Sequence, residues 1–360
     1  MIKLLIVDDS PLMRRLLGEL FASEGDFEVA IARDGVEALA ILDDVAPDVI
    51  TLDIQMPQMN GLACLDRIML VRPTPVVMVS AATQQGAEQT LRALELGAVD
   101  FIAKPSGAVS LRMQEWGPPL VATIRTAARA RIRRTRRLAD RVRQRTAPLL
   151  PTRPQPVRVA RPHTGALSAD GLVVLGTSTG GPPALEAVLS RLPGDFPWPI
   201  VVAQHMPASF TGPLARRLDG LTELVTAEVT SPTRLLAGRA YVGRGDADMI
   251  VSRRPDGVYA QSAPSDAAFR WHPSVDRLVD TAMSAYAPEQ LIGVLMTGMG
   301  DDGAAAMTRL NAAGGRTLAE AEDTAVVWGM PGELVRAGGA GTVASLGDIA
   351  GWLTAAVRPR

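Results

Sequence analysis

Residues 176–181 read "GTSTGG" and follow the apolar run "LVVL", so that Gly176, Ser178 and Gly180 stand at GxSxG spacing. A serine flanked this way after a strand can be a nucleophile on a strained strand-to-helix turn. The same composition can also bind a phosphate at a helix N-terminus or make a plain turn. No GxGxxG spacing and no P-loop lysine accompany it, which weakens the nucleotide reading. A serine nucleophile needs a base, and the chain has only three histidines. His163 lies in a proline-rich stretch and His272 follows Trp271 in "RWHPSVD", whereas His205 ends the strand-like "WPIVVAQH". One strand along from the serine and also at a carboxyl end, His205 is placed to take the Oγ proton. The carboxylate that orients it should come from "LIGVLMTGMGDDG", which offers Asp301 and Asp302. The order serine, histidine, aspartate differs from that of α/β-hydrolases, where the histidine comes last, and argues against that fold.

A second set of reactive groups occupies the first third of the chain. Asp8 and Asp9 follow the first apolar run, Asp53 closes "VITLD", Ser80 closes "VVMVS" and Lys104 closes "FIAK". Three carboxylates at one sheet edge repel one another unless a hard divalent cation sits among them, and oxygen-only ligands suit Mg²⁺. A hydroxyl and an ammonium facing the same pocket can bind the oxygens of a phosphoryl group carried by Asp53. Taken singly, each aspartate could equally be a helix cap or a turn residue.

Both sets need parallel sheets to bring strand ends together. Over the first 105 residues, five short β-branched runs alternate with amphipathic stretches, the signature of a doubly wound α/β domain, whose sites lie at the carboxyl ends of the strands. From Gly171 onward "LVVLG", "WPIVVAQH", "RAYVG", "LIGVLMTG" and "GRTLAEAE" repeat the pattern. The expected organisation is therefore two doubly wound α/β domains with mainly parallel sheets, at residues 1–117 and 171–357. An Arg-rich helical and Pro-rich linker, starting at Pro118 and covering 118–170, joins them.

The net charge of -1 conceals segregation: residues 1–110 sum to -8, residues 111–165 to +12 and residues 166–360 to -5. Ten arginines fall between Arg125 and Arg145. Such a run is either a solvated helix face or a partner for acidic surfaces, and without aromatic residues to stack bases it does not favour nucleic acid. No apolar run reaches the roughly 18 residues of a membrane span, so no membrane insertion is expected. The single cysteine, Cys64, excludes an internal disulfide and agrees with a reducing, cytoplasmic setting.

The first half resembles two-component receiver domains of flavodoxin-like fold on "DD", "LDIQMPQMNG", "VSA" and "KP". The second half resembles the catalytic domain of bacterial chemotaxis protein-glutamate methylesterases (CheB-type) on "GTSTGG", "AQHMPASFT", "HPSVD", "LMTGMGDDGA" and "WGMPGE". The first resemblance implies phosphorylation of Asp53, Mg²⁺ held by Asp8, Asp9, Asp53 and the Gln55 carbonyl, and a switch through Ser80, Phe101 and Lys104. The second implies Ser178 as nucleophile, His205 as base, Asp302 as acid, and an oxyanion hole from the N–H groups of Thr179 and Met299. His272 and Met206 would line the pocket, and the esterase step would need no cofactor. Together they imply a phosphorylation-activated hydrolase that demethylates, and also deamidates, chemoreceptors under control of a chemotaxis-type histidine kinase. Two departures stand out: Thr177 where alanine is usual, and "YVGRGDADM", whose Arg244 and Asp248 bear on the substrate-facing loop. A phosphorylation-gated binding module with a vestigial esterase site is the alternative that the altered "GRGDAD" loop leaves.

Overall fold

The computed structural model describes residues 1–81, 83–105, 109–131 and 170–357. The first body alternates β1 (Ile2–Val7), α1 (Pro11–Ser23), β2 (Phe27–Ala32), α2 (Gly35–Val45), β3 (Val49–Asp53), α3 (Gly61–Val71), β4 (Val76–Ala81), α4 (Gln84–Leu96), β5 (Asp100–Lys104) and α5 (Val109–Ala127). Its strands pair in parallel in the order β2-β1-β3-β4-β5. Ser10, Asp34, Asn60 and Thr83 start the first four helices, each accepting a first-turn N–H that the helix cannot satisfy itself. Strand residues alternate between faces: Leu5, Val7, Ile50 and Leu52 pack toward α2, α3 and α4, while Leu4, Ile6, Val49, Val77 and Val79 pack toward α1 and α5.

The helix expected to start at Pro118 instead starts at Val109, with Pro118 and Pro119 inside it. An interior proline costs about 3 kcal/mol. Against that, Trp116, Leu120, Val121, Ile124 and Ala127 are buried on the first sheet, and each large apolar side chain so buried contributes about 1.5–3 kcal/mol. The tertiary contact outweighs the local signal, so position 117/118 falls inside the last helix of the first body. Of the linker expected at 118–170, residues 132–169, including His163, lie outside the described residues.

The second body contains β6 (Leu172–Thr177), α6 (Gly181–Leu189), β7 (Ile200–Gln204), α7 (Ala208–Leu221), β8 (Val225–Val229), β9 (Thr233–Arg234), β10 (Arg239–Gly243), β11 (Asp248–Arg254), β12 (Gly257–Ala263), α8 (Val275–Ala285), β13 (Leu291–Leu295), α9 (Ala304–Ala312), β14 (Arg316–Glu320), α10 (Met330–Arg336), β15 (Thr342–Ala344) and α11 (Leu346–Ala356). Seven strands form one parallel sheet, β15-β14-β13-β6-β7-β10-β8, and β9, β11 and β12 form a small antiparallel one. Strands β6, β7 and β13 are buried along their whole length and occupy the middle of the large sheet. The chain leaves β6 toward β7 and returns later to β13 on the other side, which makes the end of β6 a topological switch point.

The two bodies pack together. Helix α4 lies against α7, the rings of Phe101 and Phe210 have centroids 4.4 Å apart, and Arg217 reaches Glu95 at 3.2 Å. Aromatic pairs contribute about 0.5–1.5 kcal/mol beyond their buried area, while solvent-exposed ion pairs give about 0–1 kcal/mol. The apolar contact therefore carries more of the adhesion.

Candidate active site and acidic pocket

Register places the catalytic candidates. Thr177 pairs with Gln204 across β6 and β7, so Ser178 and His205 are the next residues of adjacent strands, and the His205 N–H donates to the Thr177 carbonyl at 3.0 Å. Asp302 lies beyond β13 on the other side of β6 and reaches across to His205: Nε2 and Oδ2 are 2.8 Å apart. The structure thus brings together Ser178, His205 and Asp302. Asp301 is exposed and is not the partner.

Asp302 is held from several sides. Its carboxylate also accepts from the Val275 N–H at 2.7 Å, the Asp276 N–H at 3.0 Å and the Ser274 hydroxyl at 3.0 Å, all at the start of α8. Burial works against its charge, but the hydrogen bond and attraction from His205, with those backbone donors, outweigh it and hold the carboxyl below the usual carboxylate range. With Nε2 directed at Asp302, the other ring nitrogen of His205, Nδ1, is buried and has no partner among the described residues. Nδ1 is therefore the ring nitrogen left without a hydrogen bond among the described residues.

The turn around Ser178 differs from the expected strained elbow. Ser178 keeps negative φ, and the left-handed residue is Gly180, at φ 76°, which opens α6. Close approach is handled by glycine too: a Cβ on Gly298 would stand 2.7 Å from the Ser178 Cβ. The N–H groups of Thr179 and Met299 donate to no described residue, as a waiting oxyanion hole requires.

No pattern along the sequence marks Gln204. Buried at the end of β7, it accepts from the Thr177 hydroxyl at 2.7 Å and donates through Nε2 to the carbonyls of Ser178 and His205, each at 3.0 Å. Thr177, the departure from alanine, thereby fixes which way the Gln204 amide points, and the amide straps the two catalytic strand ends together. The "YVGRGDADM" departure also resolves differently from expectation. Asp248 is fully buried and faces no substrate; it accepts from His272 Nδ1 at 2.9 Å, the Ser274 N–H at 2.9 Å and Arg277 at 2.6 Å. Burial opposes its charge, yet these donors keep the carboxyl below its usual range. Arg244 is exposed, Met206 is buried, and His272 is committed to Asp248.

In the first body Asp8, Asp9 and Asp53 each present a carboxylate oxygen, all within 4.8 Å of one another. Lys104 contacts Asp53 at 2.8 Å and Asp8 at 3.0 Å. Burial pushes the Asp53 carboxyl up, Lys104 works the other way, and Asp8 adds to the upward push. This carboxylate-rich pocket, in which one ammonium faces three acids, fits a hard divalent cation. Gln55 is exposed in the loop after β3, and the Ser80 hydroxyl donates to the Gly86 carbonyl at 3.4 Å. Phe101 faces outward onto Phe210 of the second body.

Contacts from the first body end on the candidate oxyanion hole. The Thr179 hydroxyl donates to Asp100 Oδ2 at 2.5 Å, and the Thr126 hydroxyl meets the Met299 sulfur at 2.8 Å. Burial pushes the Asp100 carboxyl up to about 6, against the Thr179 hydrogen bond. Two linker-side arginines pair with one acidic body each: Arg125 with Glu24 and Asp26, Arg131 with Glu322.

The CheB methylesterase family matches residues 173–353 and the response regulator receiver domain family matches residues 4–114. A protein-glutamate methylesterase/protein-glutamine glutaminase of Rhodopseudomonas palustris is 57% identical over 97% of this chain and 96% of its own length. This chain belongs to the protein-glutamate methylesterase/protein-glutamine glutaminase family. A member from Rhodospirillum rubrum is 50% identical over 99% of this chain and 96% of its own. The crystal structure of the Thermotoga maritima CheB methylesterase catalytic domain is 36% identical, has a TM-score of 0.50, and covers 51% of this chain and 97% of that one. Among the described residues no helix is long and apolar enough to cross a membrane.

Proposed function

We propose that Ser178, His205 and Asp302 hydrolyse glutamate 5-methyl esters on the cytoplasmic helices of chemoreceptors, and that the receiver half gates them. The observation that carries the assignment is the 2.8 Å contact of His205 Nε2 with Asp302, with Ser178 the residue just past the end of the neighbouring strand β6. Ser178 Oγ attacks the ester carbonyl while His205 Nδ1 takes its proton; the oxyanion is met by the N–H groups of Thr179 and Met299. The imidazolium, stabilised by Asp302, returns the proton to the departing methoxide, and methanol leaves. Water, deprotonated by His205, then cleaves the acyl-enzyme to free the glutamate. The same sequence on a glutamine amide releases ammonia, which is the deamidation named in the relatives.

The gate uses β5. Its last residue, Lys104, touches Asp53; its first two, Asp100 and Phe101, touch Thr179 and Phe210. Phosphorylation of Asp53 by a chemotaxis-type histidine kinase redirects Lys104, and with Ser80 and Phe101 as switch residues the displacement loosens the contacts over Thr179 and Met299. Asp8, Asp9, Asp53 and the Gln55 carbonyl would hold Mg²⁺, which when bound would neutralise charge on the incoming phosphoryl oxygens. In this reading the protein works in the cytoplasm, beside the receptor helices. Mass spectrometry of receptor peptides tests the reading: a phosphodonor should speed conversion of methyl ester to acid and of glutamine to glutamate, and Ser178→Ala should abolish both.

A further inference from the structure

Trp271 has no part in the chemistry above, yet its ring stacks on the imidazole of His205, with centroids 5.2 Å apart and planes 12° from parallel. It sits in a long, largely exposed loop between β12 and α8, where a side chain would ordinarily be free to move. Here the loop is fastened beside the tryptophan. Asp248 takes His272, the N–H of Ser274 and Arg277, and it also accepts the N–H of Asp266 at 3.3 Å. Asp302, the carboxylate that holds His205, takes the Ser274 hydroxyl and the N–H groups of Val275 and Asp276. The indole Nε1 is buried without a partner, facing Gly300, where a Cβ would stand 3.6 Å away. The indole is thus held by its face, not by a hydrogen bond.

We infer that Trp271 is a positioning residue for the base: its face fixes the plane of the His205 ring and stabilises the imidazolium that forms when Ser178 gives up its proton. The inference rests on the proposed triad. Asp302 restrains only one edge of the ring, through Nε2, and leaves rotation about that contact open; a stacked indole removes that freedom and so fixes where Nδ1 points. The electron-rich indole face also attracts a cation that appears during the reaction. The charged groups around His205 and Trp271 include Asp302 in contact, Asp276 behind it, Arg270 over the indole at 5.1 Å from its centroid, Asp100 through Thr179, and Asp301 and Glu333 on the same cavity wall as Trp271. Substitution at 271 leaves the charge of each in place.

Full-length wild type, Trp271→Phe, Trp271→Leu and Ser178→Ala are compared for methanol release from methylated receptor membranes across pH, with thermal melts to verify folding. Trp271→Leu should lower kcat about tenfold with KM changed less than twofold, and should move the acid limb of kcat/KM down by about half a pH unit. Trp271→Phe keeps a stacked ring and should restore both to near wild type. A folded Trp271→Leu with wild-type kcat and an unmoved acid limb overturns the inference, as does a Trp271→Phe no better than Trp271→Leu. If instead Ser178→Ala retains activity, the triad itself is at fault and not the role of Trp271.

Discussion

Asp53 and Asp302 are buried to the same degree at the carboxyl edges of two parallel sheets, and their surroundings drive them in opposite directions. Asp302 receives donors from every side, His205 and the start of α8 among them, and its carboxyl is held down. Asp53 faces two other carboxylates and one lysine, and its carboxyl is pushed up. The first is a finished charge that needs nothing more in order to orient a histidine. The second is short of positive charge, which suits a residue that binds a cation and accepts a phosphoryl group. One architecture thus supports a permanent electrostatic support in one half and an adjustable site in the other.

Removing each carboxylate's charge should separate the two roles. Of the two, Asp302→Asn should have the larger effect, lowering kcat about 10³–10⁴-fold, because an amide neither sets the tautomer of His205 nor stabilises its charged form; methanol release at saturating substrate measures it. Asp53→Asn should leave basal hydrolysis in place and abolish the increase produced by a small-molecule phosphodonor. An Asp53→Asn protein that is still activated would break the division of labour.

A smaller effect should come from Asp100, where the halves meet. Its carboxyl is pushed up to about 6 in the packed arrangement, against about 3.9 for a solvated aspartate. The packed state therefore binds protons more readily than an open one. Packing should be strongest below pH ~4, weaken as pH rises through about 6 and level off above. Limited proteolysis between the halves at pH 5 and pH 8 should reveal this, and Asp100→Asn should remove the difference. Smallest of all, Thr177→Ala deletes one buried hydrogen bond of about 1 kcal/mol to Gln204, so kcat should fall only several-fold.

Much of this was legible in the sequence where chemistry repeats at strand ends. Asp8, Asp53, Ser80 and Lys104 stand at or just past the ends of the first, third, fourth and fifth runs of one pattern, and Ser178, His205 and Asp302 follow strand-like runs of the other. What escaped reading depended on tertiary contact. The double proline at 118–119 is a local stop signal that burial of α5 overrides, and Asp248 reads as surface because no local feature announces three donors from a segment 24 to 29 residues away. Strands β8 and β15 and the antiparallel β9, β11 and β12 carry short or alternating patterns that long apolar runs overshadow. Gln204 and Thr177 sit next to recognised residues, yet their bond joins side chains of neighbouring strands and has no signature along the chain.

In the proposed scheme Ser178 carries the acyl group and the receiver governs access to it. Methanol release from methylated receptor membranes, measured with and without a phosphodonor for wild type and Ser178→Ala, tests it most directly. Release by wild type should rise on phosphorylation, and the rate for Ser178→Ala should be at least about 10⁴-fold lower under both conditions. Release that survives the substitution would contradict it, as would a phosphorylated wild type that binds receptors and releases no methanol.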